Sequence, residues 1–407
     1  MQRVTDRNKI DEPMVKTIKN LKGNETLIFA ETFENEVYEQ IKKLVNFPPY
    51  QDAKVRVMPD AHAGKGCSIG TTMTITDKLT PNLVGMDIGC GMLTVKLRDQ
   101  NVNFAKLDEV INTRIPNGFE IHDKSPGHFD FSGLRCKDFV DLKRARLSIG
   151  SLGGGNHFIE VSRSEKEGNL YLIIHSGSRK LGADTCQYYQ ERAVQHLSEI
   201  SRREEFVENL KSENREKESS KKQKKRKKQI PHKDLAFLEG TGFDDYMNDM
   251  AIVQNFAAFN RATMAAIILE ETGLQEDSRF ETIHNYIDFR RMILRKGAVS
   301  AEKGETLLIP LNMRDGSLLC RGKGNEEWNY SAPHGAGRLM SRTKAKAAIE
   351  LEDFQNSMAN VYSTSVGKST LDEAPQAYRS MDEIKNAITD TVEVTDVLKP
   401  LYNFKAH

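Results

Sequence analysis

The apolar run Leu170-Tyr171-Leu172-Ile173-Ile174 passes directly into His175-Ser176-Gly177-Ser178-Arg179. Five apolar residues in succession leave no polar face for water, so the run predicts a strand covered on both sides. A strand of that kind lies inside a sheet and delivers the next residues to the sheet's end. Those residues bring an imidazole, two hydroxyls and a guanidinium, which are costly to place beside a core without partners. Shorter β-branched runs predict further strands at Val55–Met58, Thr71–Ile75 and Leu93–Leu97, and the pattern returns over residues 305–320. Gly64, Gly66, Gly70, Gly85, Gly89 and Gly91 separate the early strands and mark tight turns or backbone brought close to a ligand. Residues 182–270 read as helical, with Ile252, Phe256, Phe259 and Ile267 near one core-facing stripe, and Gly337–Asn356 reads as a further helix. Strands and helices without regular βαβ alternation predict an α+β fold.

A chain of 407 residues suffices for one large domain or two ordinary ones; a single domain over 1–407 is expected, with the helical portion at 182–270 inside it. The net charge of +1 means that no global field draws it to nucleic acid, so any basic surface is local. One such feature is the charge-rich stretch at 211–228, ending in Lys221-Lys222-Gln223-Lys224-Lys225-Arg226-Lys227-Lys228. It reads as an exposed insertion that either binds RNA phosphates or is simply a solvated surface. Cys67, Cys90, Cys136, Cys186 and Cys320 are odd in number and lack C-x-x-C spacing, which argues against a disulfide framework and for a reducing compartment. The first residues lack an apolar signal core, and no run of roughly 18 apolar residues predicts a membrane helix. The expectation is a cytoplasmic protein with no membrane partner.

The chemistry-bearing residues sit in small-residue settings. Asp87-Ile88-Gly89-Cys90-Gly91 places a carboxylate and a thiol three apart in a glycine turn. His157 comes after Gly153-Gly154-Gly155-Asn156, His175 ends the apolar strand, and His284 precedes Asn285-Tyr286. A lone histidine in such a place is commonly structural; three of them with Asp87 and Cys90 point to a metal site. Mixed oxygen, nitrogen and sulfur donors suit a borderline divalent ion, without separating zinc from manganese. His334, in Ser331-Ala332-Pro333-His334-Gly335-Ala336-Gly337-Arg338, is placed just before a helical segment. It is either a nucleophile toward phosphorus at a helix start or a chance histidine in a loop. Arg179 and Gly153–Gly155 are further phosphate-friendly groups, and Asp60 and His62 are substrate or supporting candidates.

Met58–Gly66, Val84–Met92, Ser151–Glu160, His175–Arg179, His284-Asn285, Arg321–Asn325, His334–Lys346 and Asp372-Glu373-Ala374-Pro375 resemble, in order, the signature blocks of the RtcB RNA ligases. The resemblance implies two sheets forming a deep active-site cleft with helices outside. It implies two manganese ions bridged by Cys90, one completed by His157 and His175, the other by Asp87 and His284. It makes His334 the nucleophile that takes GMP from GTP. Nucleotide contacts carry over to Asn156, Phe158, Ile159 and Glu160, with Glu160 reading the guanine edge. They continue at Asn285, at Pro310, Leu311, Asn312, Met313 and Ser317, and at Gly335, Ala336, Gly337 and Lys405. Asp60 and Arg179 match positions near the RNA terminus. The implied activity joins RNA 2′,3′-cyclic phosphate or 3′-phosphate ends to 5′-hydroxyl ends, in RNA repair or tRNA splicing, with an archease-type activator as a further implied partner.

The chain departs from the family where a Pro-Gly-Ser-Met-Gly loop is usual and Pro310-Leu311-Asn312-Met313-Arg314 stands instead. A side chain forced to φ > 0 costs roughly 1 kcal/mol or more, so this loop is expected to take another shape. With the basic stretch, this points to a divergent bacterial subgroup. It also keeps two rivals in view, a metal-dependent phosphodiesterase or nucleotidyltransferase on the same scaffold and a non-catalytic RNA-binding protein.

Overall fold

Strand β1 (Lys16–Lys19) pairs with β2 (Glu25–Ile28), and helix α1 (Asn35–Asn46) carries the chain to β3 (Val55–His62), which runs parallel to β2. After β4 (Ile69–Thr74) and the short β5 (Lys78–Leu79), a glycine turn opens β6 (Gly91–Leu97). Helices α2 (Phe104–Arg114) and α3 (Leu142–Leu147) precede β7 (Phe158–Ser164) and β8 (Leu170–Ser176). Two long helices come after them, α4 (Arg179–Glu213) and, beyond β9 (Leu238–Glu239), α5 (Thr241–Thr272). Next come β10 (Glu276–Ile283), β11 (Asn285–Asp288), β12 (Ile293–Lys296), β13 (Ala298–Ser300), β14 (Thr306–Asn312), β15 (Gly316–Gly322) and β16 (Ser331–Pro333). Helices α6 (Arg342–Ala348), α7 (Leu351–Ser357) and α8 (Met381–Ala387) lead to β17 (Val392–Lys405). This computed structural model describes residues 15–213 and 233–405. The first residues and the run Lys221–Lys228 therefore lie outside the described residues.

Of the two large sheets, one has the order β1-β2-β3-β4-β12-β11 and the other β10-β6-β8-β7-β17-β15-β14, while β13-β16 and β5-β9 form two-stranded pairs. Both large sheets contribute to the walls of one cavity, as expected of an α+β cleft. The apolar run is β8, and all seven of its residues are buried. Each fully buried Leu or Ile there contributes on the order of 1.5–3 kcal/mol relative to exposure. Its side chains split between two cores: Leu172 and Ile174 join one with α2 and α5, while Ile173 joins a second with Met92 and Leu308.

Two helix expectations change. The stripe on α5 is wider than expected: Phe256 is fully buried, but Ile252, Phe259 and Ile267 are only partly so. Asn260 and Arg261 share the buried face, because their polar groups are spent on backbone carbonyls and on Glu281. By length and composition α5 could cross a membrane. The fully buried Asp249, Asn260 and Arg261 on it, all bonded to protein groups, make it a core helix. The expected helix Gly337–Asn356 is instead two short ones, α6 and α7. Alanine, lysine and glutamate favour helix locally, yet residues 335–341 stay irregular because Gly337 is pressed against Asp60 at φ +70°. His334 therefore comes directly after a strand and lies well ahead of Arg342, so it does not stand at the start of a helix.

Candidate metal and nucleotide site

Four adjacent strands, β10-β6-β8-β7, run alternately up and down, so the end of β10, the start of β6, the end of β8 and the start of β7 share one edge. Those four positions carry His284, Cys90, His175 and His157. The register places His175 opposite both Met92 and Phe158, and the His284 N–H donates to the Cys90 carbonyl at 2.9 Å. Gly91 permits the closest approach, since a Cβ there would meet the β10 backbone at Thr282 and Ile283. Gly89 turns the chain at φ +71° against Ala257 and Gln254 of α5.

The Cys90 Sγ lies 3.4 Å from His157 Nε2 and 3.3 Å from His175 Nε2. His175 Nε2 is 3.0 Å from His284 Nε2, and His157 Nε2 is 3.0 Å from Asp87 Oδ2. Cys90, His175 and His284 form one group of donor atoms within 4.8 Å of one another, and Asp87, Cys90 and His157 form a second. The thiol is common to both, as the resemblance implies. The partition differs, because His284 stands with His175 and Asp87 with His157.

Two rings are locked from behind. His157 Nδ1 contacts the Leu152 carbonyl at 2.8 Å and His175 Nδ1 the Asn156 carbonyl at 3.2 Å, which turns both Nε2 lone pairs to the centre. Burial pushes His175 well below the usual imidazole range, and burial with the nearby His334 pushes His284 down to about 3. Burial and the Asp87 charge push the Cys90 thiol well up. Burial also raises Asp87, but the neighbouring His157 outweighs it and holds the carboxyl at about 2. Imidazole nitrogens, a carboxylate and a thiol that a bound cation would ionise are the donor set of a divalent metal site.

His334 continues this centre, its ring 5.0 Å from that of His284 and 6.2 Å from that of His62. Its Nδ1 lies 2.7 Å from Oδ2 of the fully buried Asp60, which also accepts the His334 backbone N–H at 3.1 Å. The short ring contact is not aligned as a hydrogen bond. Nε2 is left as the nitrogen available to the cavity. Asp60 itself lies behind His334 and does not line the cavity. Arg179 is also off that wall: it donates to Ser151 Oγ and the Gly118 carbonyl, and burial pushes it down to about 10.

The cavity has a volume of about 630 Å³. Asn156, Phe158, Glu160 and Asn285 line it, as do Pro310, Leu311, Asn312, Met313, Ser317, Gly335, Ala336, Gly337 and Lys405. Ile159 does not; strand alternation sends its side chain into the core with Val161 and Ile174. The altered segment is the end of β14 and the start of its turn into β15. The turn's positive φ falls at Gly316, and Asn312 Oδ1 accepts from the backbone N–H groups of Arg314 and Asp315. Met313 is buried with Phe354 and Met358, which rationalises a bulky residue in this loop. Arg321–Asn325 lies away from the cavity, with Gly322 packed on Ala301 and Glu302.

At the far end Glu160 accepts from Ser162 Oγ at 2.6 Å and from Asn403 Nδ2 at 2.8 Å, and burial pushes its carboxyl up to about 7. Asn403 lines the cavity with its buried Oδ1 unpartnered. Lys405, two residues on along the same face of β17, donates to the Asn156 carbonyl at 3.0 Å and pairs with Glu373 at 2.8 Å. Arg338, Arg342, Glu373 and Tyr378 complete this wall, with Lys296 further along the cavity. Sequence reasoning assigned none of these five, nor Asn403, a role. Asn403 was within reach, since alternation along a strand puts it beside Lys405. Arg338, Arg342 and Glu373 lie within the blocks that carry the family resemblance.

A family model described as tRNA-splicing ligase RtcB matches residues 40–137 and 135–406. The RNA-splicing ligase RtcB of Escherichia coli strain K12 is 32% identical over 399 residues, covering 86% of this chain and 90% of its own. The tRNA-splicing ligase RtcB of Aeropyrum pernix is 26% identical, with 81% and 82% covered. Matches of this extent, over a chain whose thiol and imidazoles converge beside a cavity-facing histidine, show that it belongs to the tRNA-splicing ligase RtcB family.

Proposed function

We propose that the protein is a GTP- and Mn²⁺-dependent RNA ligase that joins 2′,3′-cyclic phosphate or 3′-phosphate ends to 5′-hydroxyl ends through a guanylyl-histidine. The observation that carries this reading is His334, beside Asp60, placed between the paired donor groups and a cavity lined further along by the acceptors Glu160 and Asn403. Asp87, Cys90, His157, His175 and His284 would hold two manganese ions, which when bound would neutralise charge on the phosphates and favour an ionised hydroxyl.

His334 Nε2 attacks the α-phosphorus of GTP, an N–P bond forms and pyrophosphate leaves. Asp60, beside Nδ1, fixes the ring and offsets the positive charge that builds on it. An oxygen of the RNA 3′-phosphate next displaces His334 and takes the GMP. The 5′-hydroxyl of the second RNA then attacks the 3′-phosphate, GMP leaves, and the hydroxyl proton passes to solvent. Opening of a cyclic end by water precedes these steps. Guanine presents two adjacent donors, N1–H and the 2-amino group, where adenine presents an acceptor beside a donor. Glu160 and the unpartnered Asn403 Oδ1 are two acceptors, which favours GTP.

Protein incubated with α-labelled GTP and Mn²⁺, then denatured, should retain label, and His334→Ala should retain none. Label that never appears on the wild type removes the proposal. RNA with cyclic phosphate and 5′-hydroxyl ends then separates joining from simple ring opening, which is the outcome for a phosphodiesterase on this scaffold.

A further inference from the structure

Glu373 is buried at 3% exposure and gathers four donors from three chain segments. Its Oε2 accepts from Tyr378 Oη at 2.8 Å and pairs with Lys405 Nζ at 2.8 Å. Its Oε1 pairs with Arg342 Nη1 at 2.6 Å and lies 3.5 Å from Arg338 Nη1. Burial would raise its carboxyl, but Lys405 and Arg342 outweigh this and hold it at about 2. Glu160, on the same wall, has no cation in contact among the described residues, and its partners there are the hydroxyl of Ser162 and the amide of Asn403. Lys405 lies near enough to favour the charged form of Glu160, yet its ammonium is committed to Glu373 and the Asn156 carbonyl. Two buried carboxylates thus flank one lysine, and only one of them has it.

We propose that Glu373 is a specificity-determining positioning residue: by holding Lys405, it keeps the Glu160 carboxylate open to the donors of a guanine base. The inference rests on the guanine-reading role proposed for Glu160. Were Lys405 free, its flexible ammonium would turn to Glu160, the nearest other carboxylate on this wall, and occupy the oxygens a guanine needs. The base would then lose a charge-assisted contact that adenine never had, so the effect falls on selectivity more than on general affinity.

The test is equilibrium binding of GTP and of ATP to the full-length protein with Mn²⁺, for the wild type, Glu373→Gln and Glu373→Gln/Lys405→Met. The expected result is a fall of about tenfold or more in the GTP-to-ATP affinity ratio for Glu373→Gln, the size of one lost charge-assisted bond. The same variant should shift the rise of GTP binding with pH to lower pH, because Lys405 then ionises Glu160. Removing Lys405 as well should recover most of the ratio, whatever the absolute affinity. A ratio unchanged in Glu373→Gln, or equally low in both variants, overturns the proposal. If Glu373→Gln fails to fold, Glu373→Asp takes its place, since the shorter carboxylate draws back from Lys405; a fall in the ratio there supports the proposal and an unchanged ratio overturns it. A wild type that binds neither nucleotide would instead remove the proposed function on which this rests.

Discussion

The two ends of the cavity are built by different means. At the metal end, Cys90, His175, His157 and His284 project from one edge of four hydrogen-bonded strands, and their convergence is a consequence of register. At the end proposed to take the nucleotide, Lys405, Arg338, Arg342 and Glu373 come from β17, the stretch after β16, α6 and the turn before Pro375, and ion pairs hold them together. A sheet edge places atoms to within a hydrogen bond's tolerance and resists change at one position. An ion-pair hub places charges, and one substitution redistributes them. The first arrangement suits ligands that must meet a small ion; the second suits a base whose edge has to be told apart from another.

The sharpest way to break this contrast is Cys90→Ala. It removes the donor common to both groups, so guanylylation and bound manganese should both fall on the order of 10²-fold or more, with metal read per chain after desalting. His284→Ala touches one group and should retain more metal; equal losses would end the idea of two groups sharing a thiol. Asp60→Asn keeps the shape beside His334 but removes its charge. Guanylylation should drop roughly 10²-fold or more with GTP affinity little changed, a loss typical of a misset general-base or nucleophile ring.

A pH series sharpens the nucleotide end. The Glu160 carboxyl is raised to about 7, so it is protonated below that pH and accepts poorly. GTP affinity should therefore rise as pH climbs from 6 to 8, by up to about tenfold for a single ionisation, and Glu160→Gln should flatten the profile. A flat wild-type profile would mean that Glu160 does not read the base. The smallest effect is expected at Ile159, whose side chain faces the core. Ile159→Val should cost about 0.5–1.5 kcal/mol in denaturant unfolding and leave GTP affinity within about twofold. A large nucleotide effect there would contradict the division of β7 into a cavity face and a core face.

The same contrast separates the legible part of the site from the rest. The candidate metal donors Cys90, His157 and His175 are legible in the sequence because each sits where a largely apolar strand meets small or amide residues, a pattern of the local chain. Their partition is not, because it depends on which non-consecutive strands become neighbours: β10 lies beside β6 only in the folded sheet. Glu373 looks like any glutamate in a polar turn, and nothing local says that Lys405, Arg338 and Arg342 will meet on it. The helix expected from Gly337 shows the converse error, in which local preference for helix lost to the packing of Gly337 on Asp60. The altered loop also resolved through geometry, with Gly316 taking the left-handed position.

By itself the sequence determined the kinds of chemistry available: a thiol, imidazoles and a carboxylate at strand ends, a histidine among small residues, and the alternating faces of β7 and β17. Tertiary structure decided which nitrogen each ring offers, that Asp60 backs His334, and that Glu373 rather than Glu160 has Lys405. The reason is range. Side-chain type and strand period are properties of neighbours along the chain, whereas an ion pair or a shared ligand is won by whichever groups the pairing of distant strands brings within a few ångströms.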